Sequence, residues 1–243
     1  VHVVGVVQAR LGSTRLPKKV LRPICGRAMI LRIWDRLRLC NELGGGVIVA
    51  IPTTPDNDRL AAVLEREGLC SIRGPEEALA TRLLMAADYL GADAIVRITG
   101  DEALIDPCVV DRAVAAWRKD PRYQYVSNVY PAMTRSWPEG IDIELITRAL
   151  LERLCAADAG PLAQASPSQW IWRHATTILN SVLVDGPLPS PLAALHWSVD
   201  TAEDLAGANV VFSRLPEGFT TEEVLAEFGP MNLPEIAQVH VSG

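Results

Sequence analysis

The stretch that decides the fold is Val3–Leu21, VVGVVQARLGSTRLPKKVL. Val3 to Val7 is a short, unbroken apolar run, the pattern of a strand buried on both faces. Arg10, Arg15, Lys18 and Lys19 follow at once, with Gly12, Ser13 and Thr14 among them. Four cations in one loop stand out because the 243-residue chain has a formal net charge of -6. Glycine-rich turns let backbone N–H groups approach phosphate oxygens, and cations neutralise those oxygens. The loop reads either as an anion cradle or as a solvated turn. It is not a P-loop, since no G-x-x-x-x-G-K-[ST] is present, and no G-x-G-x-x-G follows the strand.

Working outward, strand-length apolar runs alternate with helical spacing. Met29 to Leu39 has apolar Ile30, Ile33, Trp34 and Leu37, a helical pattern closed by Gly44 to Gly46. Val47 to Ile51 is the next strand, Asp58 to Glu67 a helix, Leu69 to Ile72 a third strand. Glu76 to Leu90 is a helix closed by Gly91, Ala94 to Ile98 a fourth strand, and Pro107 opens a fourth helix. This alternation predicts an α/β fold with a mostly parallel sheet and helices on both faces. Ligands in such sheets sit beyond the carboxyl ends of the strands. That places Gln8 to Pro17 and Thr99 to Pro107, TGDEALIDP, at the binding edge.

The second half is less regular. Tyr123 to Ser127 reads as a strand, and Ser136 to Leu145 as a turn into a short strand. Ile146 to Ala156 reads as a helix, Pro161 to Ser168 as a loop, and Thr176 to Val184 as a strand. Pro187 to Pro191 reads as a linker, and a last helix begins near Ala202. The insertion at about 130–184 is expected to form a lobe or a subunit contact.

Composition bounds the function. At 49% hydrophobic and 21% charged, the chain can bury a large core as one domain. Its acidity argues against bulk nucleic-acid binding. Cys25, Cys40, Cys70, Cys108 and Cys155 lie far apart and have neither metal-clip nor redox spacing, so reduced thiols and a cytoplasmic location are expected. The first apolar run is too short for a signal peptide, and no run is long enough to span a membrane.

The loop QARLGSTRLPKKVL with the following GRAMI resembles the nucleotide-binding signature of the cytidylyltransferases that make CMP-activated acidic sugars. These include the CMP-Kdo and CMP-acylneuraminate synthetases and the SpsF-like proteins, the last being the nearest match. RITGDEALIDP resembles their second motif. YVSN (Tyr125–Asn128), WPEGIDIE (Trp137–Glu144), RHAT (Arg173–Thr176) and WSVDTAEDL (Trp197–Leu205) follow in the family's order, so the resemblance covers residues 3–212.

The resemblance implies a Rossmann-like nucleotidyltransferase sheet with a small inserted lobe, one domain over 1–243. It implies attack of an acceptor oxygen on the α-phosphate of CTP with loss of pyrophosphate. Such catalysis is mostly positioning and electrostatics. By resemblance, Arg10, Lys19 and Asp101 are catalytic. Gln8, Ala9, Arg10, Gly12, Ser13, Arg15, Lys19, Thr99 and Asp101 bind the nucleotide. Asn128, Asp142, Glu144 and His174 line the site for an acidic sugar, Asp101 and Asp200 hold Mg²⁺, and the chain forms a homodimer. Read locally, Asp101 and Asp200 are alternatively helix caps. Trp137, Trp170, Trp172 and Trp197 are expected in the core or an interface.

Lys18 stands where the family has Gly, Ala103 where it has Pro, Trp137 where Tyr is commoner, and Ala175 where it has Val. If position 18 needs a positive φ, Lys18 is strained; otherwise it adds a phosphate contact. Two readings compete with cytidylyl transfer: a nucleotide-sugar-dependent glycosyltransferase, and a nucleotide-binding domain without turnover. A metal-holding Asp-x-Asp pair, frequent in glycosyltransferases, does not follow the fourth strand.

Overall fold

The computed structural model describes residues 1–44, 46–129, 136–175, 177, 178, 180–182 and 195–241. Gly45, Tyr130, Thr176, the end of the expected strand at Leu183 and Val184, and the Pro187–Pro191 linker lie outside the described residues.

The elements in chain order begin with β1 (Val3–Gln8), the hairpin β2 (Pro23–Ile24) and β3 (Arg27–Ala28), and α1 (Met29–Leu37). Then come β4 (Val47–Pro52), α2 (Asp58–Arg66), β5 (Ser71–Gly74), α3 (Leu79–Leu90), β6 (Ala94–Thr99) and α4 (Pro107–Lys119). The second half has β7 (Tyr125–Ser127), β8 (Glu144–Thr147), α5 (Arg148–Cys155), α6 (Gly160–Ala165), α7 (Pro167–Arg173) and β9 (Asn180–Val182). The helices α8 (Ala202–Arg214), α9 (Thr221–Phe228) and α10 (Leu233–Val241) complete the chain.

Seven strands form one sheet in the order β5-β4-β1-β6-β8-β7-β9. β8 runs antiparallel to both its neighbours, and the other pairings are parallel. The expected α/β sheet is therefore present, and β8 is its one reversal among the described residues. The stretch expected as a lobe contributes β8 and β9 to this same sheet. Pro161 to Ser168, expected as a loop, falls in α6 and α7, each with proline in its first turn. There proline costs no hydrogen bond.

Alternation along the strands sorts two cores. Val3 and Val7 of β1, Val49 and Ile51 of β4, and Val96 and Ile98 of β6 pack under α1, α2, α4 and α8–α10. Val4, Val6, Ile48, Ala50 and Ile95 face α3 and α5–α7. On the first face, Gly207 lets α8 meet α10: a Cβ there would lie 1.9 Å from the Leu233 carbonyl oxygen. Buried Arg36 donates from Nε to the Ile105 carbonyl and from NH2 to the Phe219 carbonyl, each at 2.6 Å. Its guanidinium stacks 3.8 Å over the Phe219 ring, and burial lowers its pKa to about 10. Asp106 caps α4 through Cys108 N and accepts from the backbone and hydroxyl of Thr221, at 2.7 and 2.8 Å. The loop between β6 and α4 is thus fixed at its far end by α1 and the C-terminal helices.

The positive-φ alternative for position 18 is the one observed. Lys18 has φ 58 and ψ 32, just before the short 3-10 turn Lys19–Leu21. Its side chain is exposed and lies outside the lining of the cleft described below. A left-handed backbone costs an L residue about 1–2 kcal/mol, and glycine avoids that cost while losing more chain entropy on folding. Lys18→Gly is therefore expected to raise stability by about 1 kcal/mol in chemical denaturation, with the midpoint moving up at constant slope.

Candidate active site

Gln8 of β1 pairs with Thr99 of β6 in the parallel register. The two loops that follow therefore leave the sheet side by side. A third segment joins them: Val199 N–H donates to the Asp101 carbonyl at 2.9 Å. Residues 139–141 support that segment, with Trp197 N–H on the Glu139 carbonyl at 2.7 Å. Gly140, at φ 98, leaves no room for a Cβ, which would lie 2.5 Å from Ser198 N.

Three loops so placed bring Lys19, Asp101 and Asp200 together. Lys19 Nζ donates to Asp101 Oδ2 at 2.7 Å and to Asp200 Oδ1 at 2.8 Å. Arg15 NH2 reaches the same Asp200 oxygen at 2.9 Å, and Thr99 Oγ1 donates to Asp101 Oδ1. Burial alone would lower the Lys19 pKa, but the two carboxylates outweigh it and raise the value. Burial likewise opposes ionisation of Asp101, and Lys19 with the Thr99 hydroxyl still draws its pKa below the usual carboxylate value. Neither aspartate is a helix cap: Asp106 caps α4 and Thr201 caps α8. The Thr201–Asp204 capping box also fixes Asp200 N–H, at 3.0 Å from Asp204 Oδ2. Two carboxylates with a neighbouring hydroxyl form an oxygen donor set of the kind hard divalent cations take.

Two adjoining cavities meet at this cluster. One, of about 460 Å³, is lined by Gln8, Ala9, Arg10, Gly12, Ser13, Arg15, Lys19, Thr99 and Asp101, with Asp200, Glu76 and Arg82 among the remainder. All nine expected nucleotide-binding residues thus line one cavity. Arg10 is largely exposed there, 3.6 Å from Glu76. The Ser13 hydroxyl accepts from Leu16 N–H at 3.3 Å and so braces the turn. The second cavity, of about 450 Å³, shares Gln8, Arg15, Thr99, Asp101 and Asp200 with the first and adds Arg97, Glu102, Asp142 and Glu144.

The floor of the second cavity is a buried polar network. Arg97 and Glu144 are cross-strand partners of β6 and β8 on the α3 face, and their side chains form an ion pair. Arg97 Nε donates to Gln8 Oε1 at 2.9 Å. Ser168 of α7 donates to Glu144 at 2.8 Å, Tyr125 OH to its other oxygen at 2.5 Å, and Trp172 Nε1 to the Tyr125 oxygen at 3.1 Å. Burial and the Glu144 charge push the Tyr125 phenol well above its ordinary pKa. Glu102 accepts Thr99 N–H at 2.9 Å. Burial first, then the charges of Asp142 and Asp101, hold its carboxyl well above the usual range.

Of the four residues expected at the acceptor, Asp142 and Glu144 line this cavity; Asn128 and His174 are not among its lining. The buried Asn128 amide bridges backbone: Nδ2 donates to the Ile141 carbonyl at 2.6 Å and Oδ1 accepts Ile143 N–H at 2.8 Å. His174 stacks on Trp170 with ring centroids 4.1 Å apart, and its Nδ1 lies 2.8 Å from the Trp170 carbonyl. Trp137 and Trp197 are buried in the core, as expected, while Trp172 reaches the cavity. Sequence reasoning did not single out Glu102, Tyr125, Ser168 or His196. His196 lies 3.0 Å from Glu139 and 3.7 Å from Asp200, four residues before the latter. Glu102 had a signal, adjacency to Asp101; Ser168 had none.

Residues 4–139, more than half of the chain, match the model of a family described as cytidylyltransferase. The chain belongs to the cytidylyltransferase family. It is 35% identical over 133 residues to the 3-deoxy-manno-octulosonate cytidylyltransferase of Chlorobaculum parvum, covering 54% of this chain and 52% of that protein. The chain therefore spans about half the length of that relative. The spore coat polysaccharide biosynthesis protein SpsF of Bacillus subtilis is 29% identical over 220 residues, 88% of each chain. A solved cytidylyltransferase from Leptospira borgpetersenii, 26% identical, superposes with a TM-score of 0.83 over 97% of this chain and 96% of that one. The family match ends before Asp142, Glu144, Ser168 and Asp200, so the second half supplies much of the second cavity.

Breaking a buried ion pair by removing one charge costs about 3–5 kcal/mol, because the remaining charge stays buried without its partner. Glu144→Gln is expected to lose that much stability in denaturant titration. Arg97→Met with Glu144→Leu together is expected to lose less than Glu144→Gln alone.

Proposed function

We propose that this chain transfers CMP from CTP to a hydroxyl of a sugar or sugar-like acid, releasing pyrophosphate, with Mg²⁺ as cofactor. The observation that carries the reading is the meeting of Lys19 and Arg15 with Asp101 and Asp200 where two cavities join. The first cavity has the cations for a triphosphate, and the second has polar walls for an acceptor. Family membership supports the choice of CTP, and the sugar acid follows the name of the Chlorobaculum parvum relative.

In this reading Arg10, Arg15 and Lys19 bind the triphosphate oxygens, and backbone N–H groups near Gly12 and Ser13 complete the cradle. Lys19 and Arg15 need only shift from carboxylate to phosphate oxygens, so the site is charged and ordered beforehand. Asp101 and Asp200 would hold Mg²⁺, which neutralises charge on the phosphate oxygens. Asp142 orients the acceptor hydroxyl towards the α-phosphorus. That oxygen bonds to phosphorus and gives up its proton to solvent, as the bond from the α-phosphorus to the oxygen it shares with the β-phosphate breaks and pyrophosphate leaves. Glu144 keeps Arg97, and through it Gln8, in place beneath both ligands. The reading includes a homodimer in the cytoplasm, as the family resemblance implies.

Incubation with CTP, magnesium and a panel of sugar acids is expected to release pyrophosphate with at least one member. Asp101→Asn preserves shape and removes a charge from the place where phosphoryl charge develops. It is expected to lower turnover by about a hundredfold or more with little change in melting temperature. Wild-type turnover in this variant would remove Asp101 from the mechanism.

A further inference from the structure

Gln8 is the last residue of β1, and it follows Val4 and Val6 on the strand face turned to α3. Arg97 lies on the same face of β6, opposite Val6 in the parallel register. The Gln8 and Arg97 side chains therefore meet diagonally, and Arg97 Nε donates to Gln8 Oε1 at 2.9 Å. This contact decides which way the amide faces. A guanidinium has donors and no acceptor, so the amide oxygen has to face it and the NH2 is turned away. Arg97 itself has little freedom. Its side chain is 15% exposed, is ion-paired to Glu144, and donates from NH1 to the Ser168 hydroxyl at 3.2 Å. Among the described residues, the Gln8 side chain makes no other hydrogen bond. Its N–H donors remain for a ligand.

The position of those donors selects the ligand atom. Gln8 lines both cavities, together with Arg15, Thr99, Asp101 and Asp200. With a nucleotide in the first cavity and an acceptor in the second, the reacting phosphorus lies where the two join. An attacking hydroxyl there has to lose a proton and direct a lone pair at phosphorus. An NH2 group accepts no proton and competes for the lone pair. A non-bridging oxygen of the α-phosphate has lone pairs only, and it carries the charge that develops during transfer. A preset neutral donor gains most from such an oxygen in the transition state, because the cations already bind it in the ground state.

We propose that Gln8 is a catalytic residue whose amide NH2 donates to a non-bridging α-phosphate oxygen of CTP during transfer. Arg97 and Glu144 are the positioning residues that hold the amide in this orientation. The proposal rests on the reading of the cleft as a cytidylyl-transfer site and deepens it, since it gives Gln8 a role at the reacting phosphorus. No proton passes to or from Gln8.

Two variants test it. Gln8→Met keeps the length of the side chain without its donors. Gln8→Glu still accepts from Arg97, which guards the fold, and turns negative charge towards the phosphate. Phosphorus NMR of bound CTP and pyrophosphate release with the acceptor panel are both measured on the full chain with magnesium. Gln8→Met is expected to move the α-phosphorus resonance more than the other two. It is expected to lower kcat by about a hundredfold and to change CTP affinity by less than about threefold. Gln8→Glu is expected to be slower still. In the background of Arg97→Met with Glu144→Leu, adding Gln8→Met is expected to cost less than about threefold further in kcat. A full hundredfold cost there overturns the positioning role. Unchanged kcat in Gln8→Met, or a loss confined to CTP affinity, overturns the catalytic role. An unmoved α-phosphorus resonance beside wild-type turnover overturns the contact and leaves cytidylyl transfer standing. A moved resonance without turnover by the wild-type chain on any acceptor supports the contact and counts against cytidylyl transfer.

Discussion

The site depends on one arrangement: the Lys19 ammonium held between Asp101 and Asp200. The three residues come from the loop after β1, the loop after β6 and the segment before α8. Two carboxylates buried this close repel, and neither loop carrying them is held here by strand pairing at that point. A cation between them converts repulsion into attraction, and burial makes the attraction count. The fold prepares this contact through the Gln8–Thr99 register, the Val199–Asp101 backbone bond and the caps at Asp106 and Thr201. Those four features aim the groups; the ammonium closes the gap.

A second constraint follows from the sheet's one reversal. Because β8 is antiparallel to β6, Glu144 falls opposite Arg97, and the pair is buried on the α3 face. Ser168 and Tyr125 then donate to Glu144 as well, one to each oxygen. This is how a buried ion pair becomes tolerable, through hydrogen bonds that complete both partners. It also fixes the charge pattern of the cleft. In the second cavity Arg97 and Arg15 are paired with Glu144 and Asp200, while Arg10, Arg15, Lys19 and Arg82 line the first.

The sequence was most legible where local chemistry and periodicity agreed. β1, β4 and β6 are short apolar runs, and each is followed by a polar or proline-bearing loop, so the binding edge could be placed from residue pattern alone. Lys19, Arg15 and Asp101 were legible because cations and acids at strand ends have few structural uses. Pro161 and Pro167 misled, since proline as a breaker and proline as a first-turn residue look alike without the flanking contacts. The hairpin β2–β3 and the helices α9 and α10 were not foreseen: the hairpin packs on α1 and α8, α10 packs on α8, and α9 is a short helix that sends Val224 and Phe228 into the core. Asn128 and His174 matched motif positions, yet backbone partners engage both polar atoms of the Asn128 amide and the Nδ1 of His174. Glu102 shows the opposite limit. Its place beside Asp101 is visible in the sequence, while its burial against Asp142 exists only once β6 and the 139–144 segment are folded together.

The central claim is that Asp101 and Asp200 hold a metal-bound triphosphate at the place where Lys19 now joins them. Calorimetric titration of CTP, with magnesium and again with excess chelator, tests it most directly. The account requires saturable binding with magnesium, at least about tenfold weaker binding in chelator, and loss of that difference in Asp200→Asn. Equal affinity for CTP with and without the metal in the unaltered chain would contradict it.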